Sequence, residues 1–217
     1  MTEPSTINVA DMAIVHATFR ASYDESARLV RAETDPAPQR VTFLADHIDL
    51  GLFMLHNHHE SEDLLLWPLL LKRAPDETAS IQRVADEHKD VAVAVNRASA
   101  ACGAWRSQPG AAERDELAAS LVELNVVLQH HLDDEEQYAV PLAARTLTQG
   151  EWNAIGAHSR GAIPADKRFI VFGMLLEPLS PADRNYMLSE VPGPVKLLWR
   201  FVGQRQWNSY SAKLRQA

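Results

Sequence analysis

Cysteine is nearly absent from this chain. One residue, Cys102, excludes an intrachain disulfide and a thiolate cage for zinc. A basic excess is missing too: 21 Lys and Arg stand against 29 Asp and Glu, a net charge of -8. No basic stripe exists to neutralise phosphates, which excludes a nucleic-acid binder. Lys and Arg gather modestly in "RFVGQRQWNSYSAKLRQA", a composition suited to a membrane surface or an acidic partner. Long apolar runs are also lacking, the longest being "LLLWPLLL", far too short to cross a bilayer. The opening "MTEPSTINVADM" has no charged-then-apolar leader pattern. Together these absences lead to the expectation of a cytoplasmic protein with no membrane span. Strand signals are missing as well, because hydrophobic alternation is absent and β-branched residues are not clustered.

What remains is helix. The periodicity predicts helices over Val9 to Arg31, Arg40 to Arg73, Glu77 to Trp105 and Ala111 to Arg145, the first capped by Asn8 or Asp11. Short connections make neighbours antiparallel, so the expected fold is all-α, an up-down-up-down four-helix bundle. Beyond it, prolines at 164, 178, 181, 192 and 194 break the chain into a C-terminal extension of short helices, one starting at Ser180-Pro181.

The abundant residue is histidine, with nine. Residues three, four and seven apart share a helix face. On the second helix the apolar stripe runs Leu44, Ile48, Leu55, His58, Glu62, Leu65, Leu69; on the fourth it runs Leu117, Leu121, Leu124, Leu128, His131, Glu135, Leu142. The third places His88 in a valine stripe and the first places His16 among Met12, Phe19 and Tyr23. His59 and Asp63 sit at the edge of the second stripe, while His56, Asn57, Glu60 and Ser61 fall elsewhere. The two rich helices match further, as His58-x-x-x-Glu62-x5-Pro68 and His131-x-x-x-Glu135-x5-Pro141, each with a second acid after the Glu. A proline inside a helix kinks or ends it, so two at one offset suggest a shared geometric task.

Any single His-x-x-x-acid pair is explained by a solvated, salt-bridged surface, and a lone His88 or His16 by an ordinary hydrogen-bonded core residue. The joint pattern is not. Four imidazoles and two carboxylates buried without partners would cost several kcal/mol per ionised group, and one metal cluster would satisfy all six. Imidazole plus carboxylate without thiolate suits iron, manganese or zinc. Four neutral His and two carboxylates carry only -2, so a hydroxide, oxide or added anion should complete the site.

The order His, His-x-x-x-Glu, His, His-x-x-x-Glu, with the strings "HHESEDLLLWPLL" and "HLDDEEQYAVPLA", resembles the hemerythrin-like, or HHE cation-binding, family. The resemblance divides the chain into a metal-binding bundle over 8–147 and a helical extension over 148–217. It implies two iron ions, oxo- or hydroxo-bridged, with Mn or Zn as alternatives. By position, His16 and His58 would bind one ion, His88 and His131 the other, and Glu62 and Glu135 would bridge. His59 or Glu60 competes for these places if the helix-two register is one residue off, a rotation of ~100°. The oxygen carriers have a second His four residues after the helix-three His, where this chain has Ala92. One ion would then be short of a ligand unless water or a side chain fills in. His59, His47, Tyr23 and Tyr138 are placed to surround the site, although ordinary packing is the favoured account of the tyrosines.

The resemblance implies a protein that binds or reacts with O2, peroxide or nitric oxide, with catalase-like turnover if both metals are open. The alternative is a non-catalytic iron or oxygen sensor or store that signals through its extension.

Overall fold

In the computed structural model, which describes residues 6–216, every regular element is helical. The bundle is α1 (Ala10–Ala32), α2 (Pro38–Ser61) continued by α3 (Trp67–Arg73), α4 (Thr78–Ser107), and α5 (Ala111–Asp134) continued by α6 (Val140–Thr146). Neighbours α1/α2, α2/α4, α4/α5 and α5/α1 pack in a closed ring. The first helix begins at Ala10, whose N–H is taken by the Asn8 side chain at 3.1 Å. Asp11 does not cap; it accepts the Trp152 indole N–H at 2.8 Å. Pro38 opens α2 at a position where its missing N–H costs nothing.

The second and fourth helices are not uniform, as the sequence expectation had them. Each is interrupted by a π-turn, Glu62–Leu66 in one and Glu135–Ala139 in the other. There the Trp67 N–H reaches back five residues to Glu62 O, and Val140 N–H to Glu135 O. Each π-turn ends two residues before its proline, so the N–H that Pro68 or Pro141 lacks falls where α-helical bonding is already broken.

The wider turn advances the helix by one residue, and the apolar stripe moves with it. The buried leucines after Glu62 are Leu66 and Leu70, not Leu65 and Leu69. After Glu135 they are Ala139, Leu142 and Ala143, while Tyr138 turns out to solvent.

Two apolar clusters fill the bundle. One holds Phe19, Tyr23, Leu55, Val91 and Leu128; the other holds Met12, Leu66, Trp67, Leu70, Val84 and Leu142. Except for His47, the buried His and Glu residues of the four helices fall in sequence between the residues named from the two sets. A polar layer therefore separates two dry cores, which is where water-free ligands for a cation would have to lie.

The rest of the chain folds back on the bundle. It comprises α7 (Gln149–Ala162), α8 (Arg168–Leu176), α9 (Pro181–Glu190), α10 (Gly193–Leu198) and α11 (Gln204–Arg215), the last two joined by a π-turn at Trp199–Gly203. Thr148 and Glu151 form a capping box for α7, and Ser180 caps α9 ahead of Pro181. α7 packs on α2 and its π-turn, α8 on α1, and α11 on α8. The chain end is latched: Arg215 pairs with Glu25 at 2.8 Å and Glu177 at 2.7 Å, and Arg40 donates to the Lys213 and Leu214 carbonyls.

Candidate metal centre

The polar layer contains seven buried residues: His16 from α1, His58, His59 and Glu62 from α2 and its π-turn, His88 from α4, His131 from α5 and Glu135 from the second π-turn. Their donor atoms form two groups. His16, His58, Glu62 and Glu135 make one, His59, His88 and His131 the other, with the atoms of each group within 4.8 Å of one another. The groups adjoin through the glutamates. Glu62 lies 3.2 Å from His58 Nε2 and 3.6 Å from His88 Nε2; Glu135 lies 3.4 Å from His16 Nε2 and 3.7 Å from His131 Nε2. Each carboxylate thus faces one imidazole from either group.

His58 and His59 are consecutive, ~100° apart on the helix. That angle sends one ring to each group. The His59 ring stacks on His88 at 4.2 Å and meets His131 edge-on at 5.0 Å. His58 stands 5.3 Å from His16.

Seven buried atoms here have no hydrogen-bond partner: Nε2 of His59, His88 and His131, and both oxygens of Glu62 and Glu135. An orphaned buried polar group costs ~1–3 kcal/mol, more when charged. Seven converging on one place is a donor set that fits cations, because imidazole and carboxylate oxygen are ligands for iron, manganese and zinc.

The outer nitrogens are held by a second set of acids. His88 Nδ1 meets Asp63 at 2.8 Å, His16 Nδ1 meets Glu136 at 2.8 Å, and His131 Nδ1 meets Glu87 at 3.3 Å. A carboxylate accepting from Nδ1 leaves the Nε2 lone pair pointing inward and raises its basicity. Arg20 in turn holds Glu136 at 2.7 Å and Asp133 at 2.6 Å, and Arg83 holds Glu87 and Asp134.

A model of the hemerythrin HHE cation-binding domain matches residues 8–143. The chain belongs to that family. No curated protein and no solved structure gives a significant match.

In this HHE chain burial keeps three of the imidazoles neutral, while at His16 it is outweighed by Glu135 and Glu136, which raise that ring above its ordinary value. Burial pushes His58 down to about 3 and His131 to about 4, and holds His59 well below its ordinary range. All three are neutral at pH 7. The two glutamates diverge. Burial, then the charge on Glu135, holds the Glu62 carboxyl well above the usual range. Burial also opposes charge on Glu135, but His16 at its side outweighs it and keeps that carboxylate ionised.

The structure brings together the six residues expected as ligands, and it adds His59. Glu60, the other register competitor, is exposed, as is Ala92. The remaining candidates lie elsewhere. The Tyr23 hydroxyl donates to Gly51 O at 3.0 Å, and Tyr138 is exposed beneath Arg83. His47 bonds the Tyr210 hydroxyl at 3.0 Å, under the C-terminal helices. Ser61, expected at the periphery, is buried and donates to His58 O at 2.7 Å. The acids that hold Nδ1 were missed as such. Their signal was the repeated acid after each glutamate, Asp63 and Glu136, and Glu87 directly before His88.

Proposed function

We propose that this chain holds two iron ions, one at each donor group, and binds or reacts with O2, peroxide or nitric oxide, with catalase-like turnover as the strongest form. The observation that carries this is the set of seven orphaned, inward-facing donor atoms with each glutamate set between the two groups. His16 and His58 would hold one ion, His59, His88 and His131 the other, and Glu62 and Glu135 would be shared between them. When bound, paired iron supplies one-electron steps and open positions for a small ligand.

The residues do the rest. Asp63, Glu136 and Glu87 fix the rings. Acting as ligands, five imidazoles and two carboxylates would contribute -2, so a further anion is needed to balance two divalent ions. The site is asymmetric: His59 supplies the third imidazole that Ala92 cannot, so the His16/His58 side has fewer nitrogens. A small ligand belongs on that side, where Phe19 lies 5.3 Å from His58 and keeps the approach apolar. His58, His59 and His88 are each less than a tenth exposed, which admits only small molecules.

The test is iron-loaded protein mixed with peroxide while oxygen release and near-ultraviolet absorption are followed. Many turnovers, abolished in His58→Ala, support the reading. No spectral response to O2, peroxide or nitric oxide refutes it. A sensor is the second reading, favoured by one contact: α7 packs directly on the π-turn that carries Glu62. A single slow spectral change accompanied by altered proteolysis of residues 148–217 would select it.

A further inference from the structure

The last helical stretch, α10 through the π-turn to α11, has two faces. Trp199, Gly203, Trp207 and Leu214 face inward and are buried. Gly203 permits the close approach, since a Cβ there would stand 2.3 Å from the Trp199 ring and 2.9 Å from Phe169. Outward stand Val195, Leu197, Leu198, Phe201 and Val202, between 45% and 59% exposed. Five large apolar side chains within eight residues form one exposed apolar ridge. A soluble surface seldom carries such a patch without a use for it.

The charge within the segment that carries the ridge is of one sign, with Glu190 directly before it. Residues 191–217 contain Lys196, Arg200, Arg205, Lys213 and Arg215 and no Asp or Glu, in a chain of net charge -8. Arg215 is tied to Glu25 and Glu177, and Lys213 lies over Phe43. Arg200 and Arg205 make no ion pair among the described residues and stand exposed beside the ridge.

We propose that this ridge is an interfacial anchor for an anionic lipid surface, with Leu197, Leu198, Phe201 and Val202 entering the headgroup layer and Lys196, Arg200 and Arg205 on the lipid phosphates. Apolar side chains flanked by basic ones are the pattern that binds membranes from the side. A second copy of the chain is the poorer occupant. A two-fold contact through the ridge would face Arg200 and Arg205 with their own copies, and no acid in the segment could pair with them. An acidic peptide is poorer too, because pairing with the basic residues would leave the five exposed apolar side chains uncovered. The acidic remainder of the chain would be repelled by the same surface, which fixes the orientation with the ridge toward the lipid. No described helix is long and apolar enough to cross a membrane, so the attachment is peripheral.

The test is co-sedimentation of the full metal-loaded chain with vesicles of phosphatidylglycerol and phosphatidylcholine, against phosphatidylcholine alone. Binding is expected on the anionic vesicles only, weakening as salt rises. Arg200→Gln with Arg205→Gln should lower partitioning roughly 30-fold, from about 1 kcal/mol per charge. Leu197→Ser with Phe201→Ser should abolish it; both sites are exposed, so circular dichroism should show the fold unchanged. Failure of wild type to sediment with anionic vesicles, or equal sedimentation of the serine variant, overturns the proposal. So does a concentration-dependent dimer in lipid-free sedimentation velocity that the serine variant dissolves, which would assign the ridge to a second copy. Binding to soluble polyglutamate without binding to vesicles overturns it in favour of an acidic partner. Peroxide chemistry is unaffected by either variant, so this result stands apart from that of the iron site.

Discussion

Replacing His59 by leucine should move stability in opposite directions with and without metal. His59 Nε2 is buried without a partner, and its ring is packed against His88 and His131. In the metal-free protein that nitrogen is a cost of ~1–3 kcal/mol. Leucine fills similar space and removes it, so the metal-free variant should be more stable by about 1–2 kcal/mol after some loss of stacking. For a chain of this size that is a rise in Tm of ~2–8 °C. In the metal-loaded protein the same change deletes one of three imidazoles from its group, and the Tm gain on adding metal should shrink. Thermal unfolding followed by circular dichroism, with chelator and with iron, measures both. His56→Leu, three residues earlier and exposed, should do neither. If His59→Leu lowers Tm equally in both conditions, His59 is packing and the ligand assignment is wrong.

Asp63→Asn and Glu136→Gln should each weaken metal binding ~10- to 100-fold in chelator competition, because they loosen the hold on His88 and His16 without touching a donor. His47 tests the bundle away from the metal. Burial lowers it to about 4, opposed by Glu25 and aided by Arg215, so between that value and its unfolded 6.5 the unfolded chain binds more protons. Stability should therefore fall as pH drops through this window, by up to ~3 kcal/mol from this residue, and urea unfolding of His47→Gln should show a flatter profile. Gly173→Ala should cost ~1–3 kcal/mol, since a Cβ there would stand 2.2 Å from the Trp207 ring and force α11 off α8. Gly103→Ala, in α4 with nothing near its Cβ, should stabilise by ~1 kcal/mol. Differential scanning calorimetry distinguishes the two.

The bundle was legible in the sequence because its signal is periodic. Leu117 through Leu128 and Leu44 through Leu55 keep one phase over several turns, and His58, Glu62, His131 and Glu135 stay on it. The phase failed after Glu62, where Leu65 and Leu69 are only partly buried, whereas after Glu135 the expected Leu142 is buried. A π-turn adds a residue that hydrophobic spacing cannot announce, so Leu65 and Tyr138 were expected inward while Leu66 and Ala139 are there. The paired prolines were the available sign, and they were read as a shared geometry without its form. His59 stayed ambiguous for a related reason. Helical phase places it at the stripe's edge, and an edge position points inward only when the neighbouring helices leave room. Room of that kind is tertiary, set by His88 and His131. Which ring each outer carboxylate holds was not legible for the same cause, since each lies on a different helix from its imidazole.

Metal content tests the account most directly. Protein loaded with iron anaerobically, freed of excess and measured by elemental analysis, should hold two ions per chain. Glu62→Ala with Glu135→Ala should bring that to one or none while helicity persists. One ion or fewer in the wild type, or two retained in the double variant, would contradict a site in which two glutamates join two groups of imidazoles.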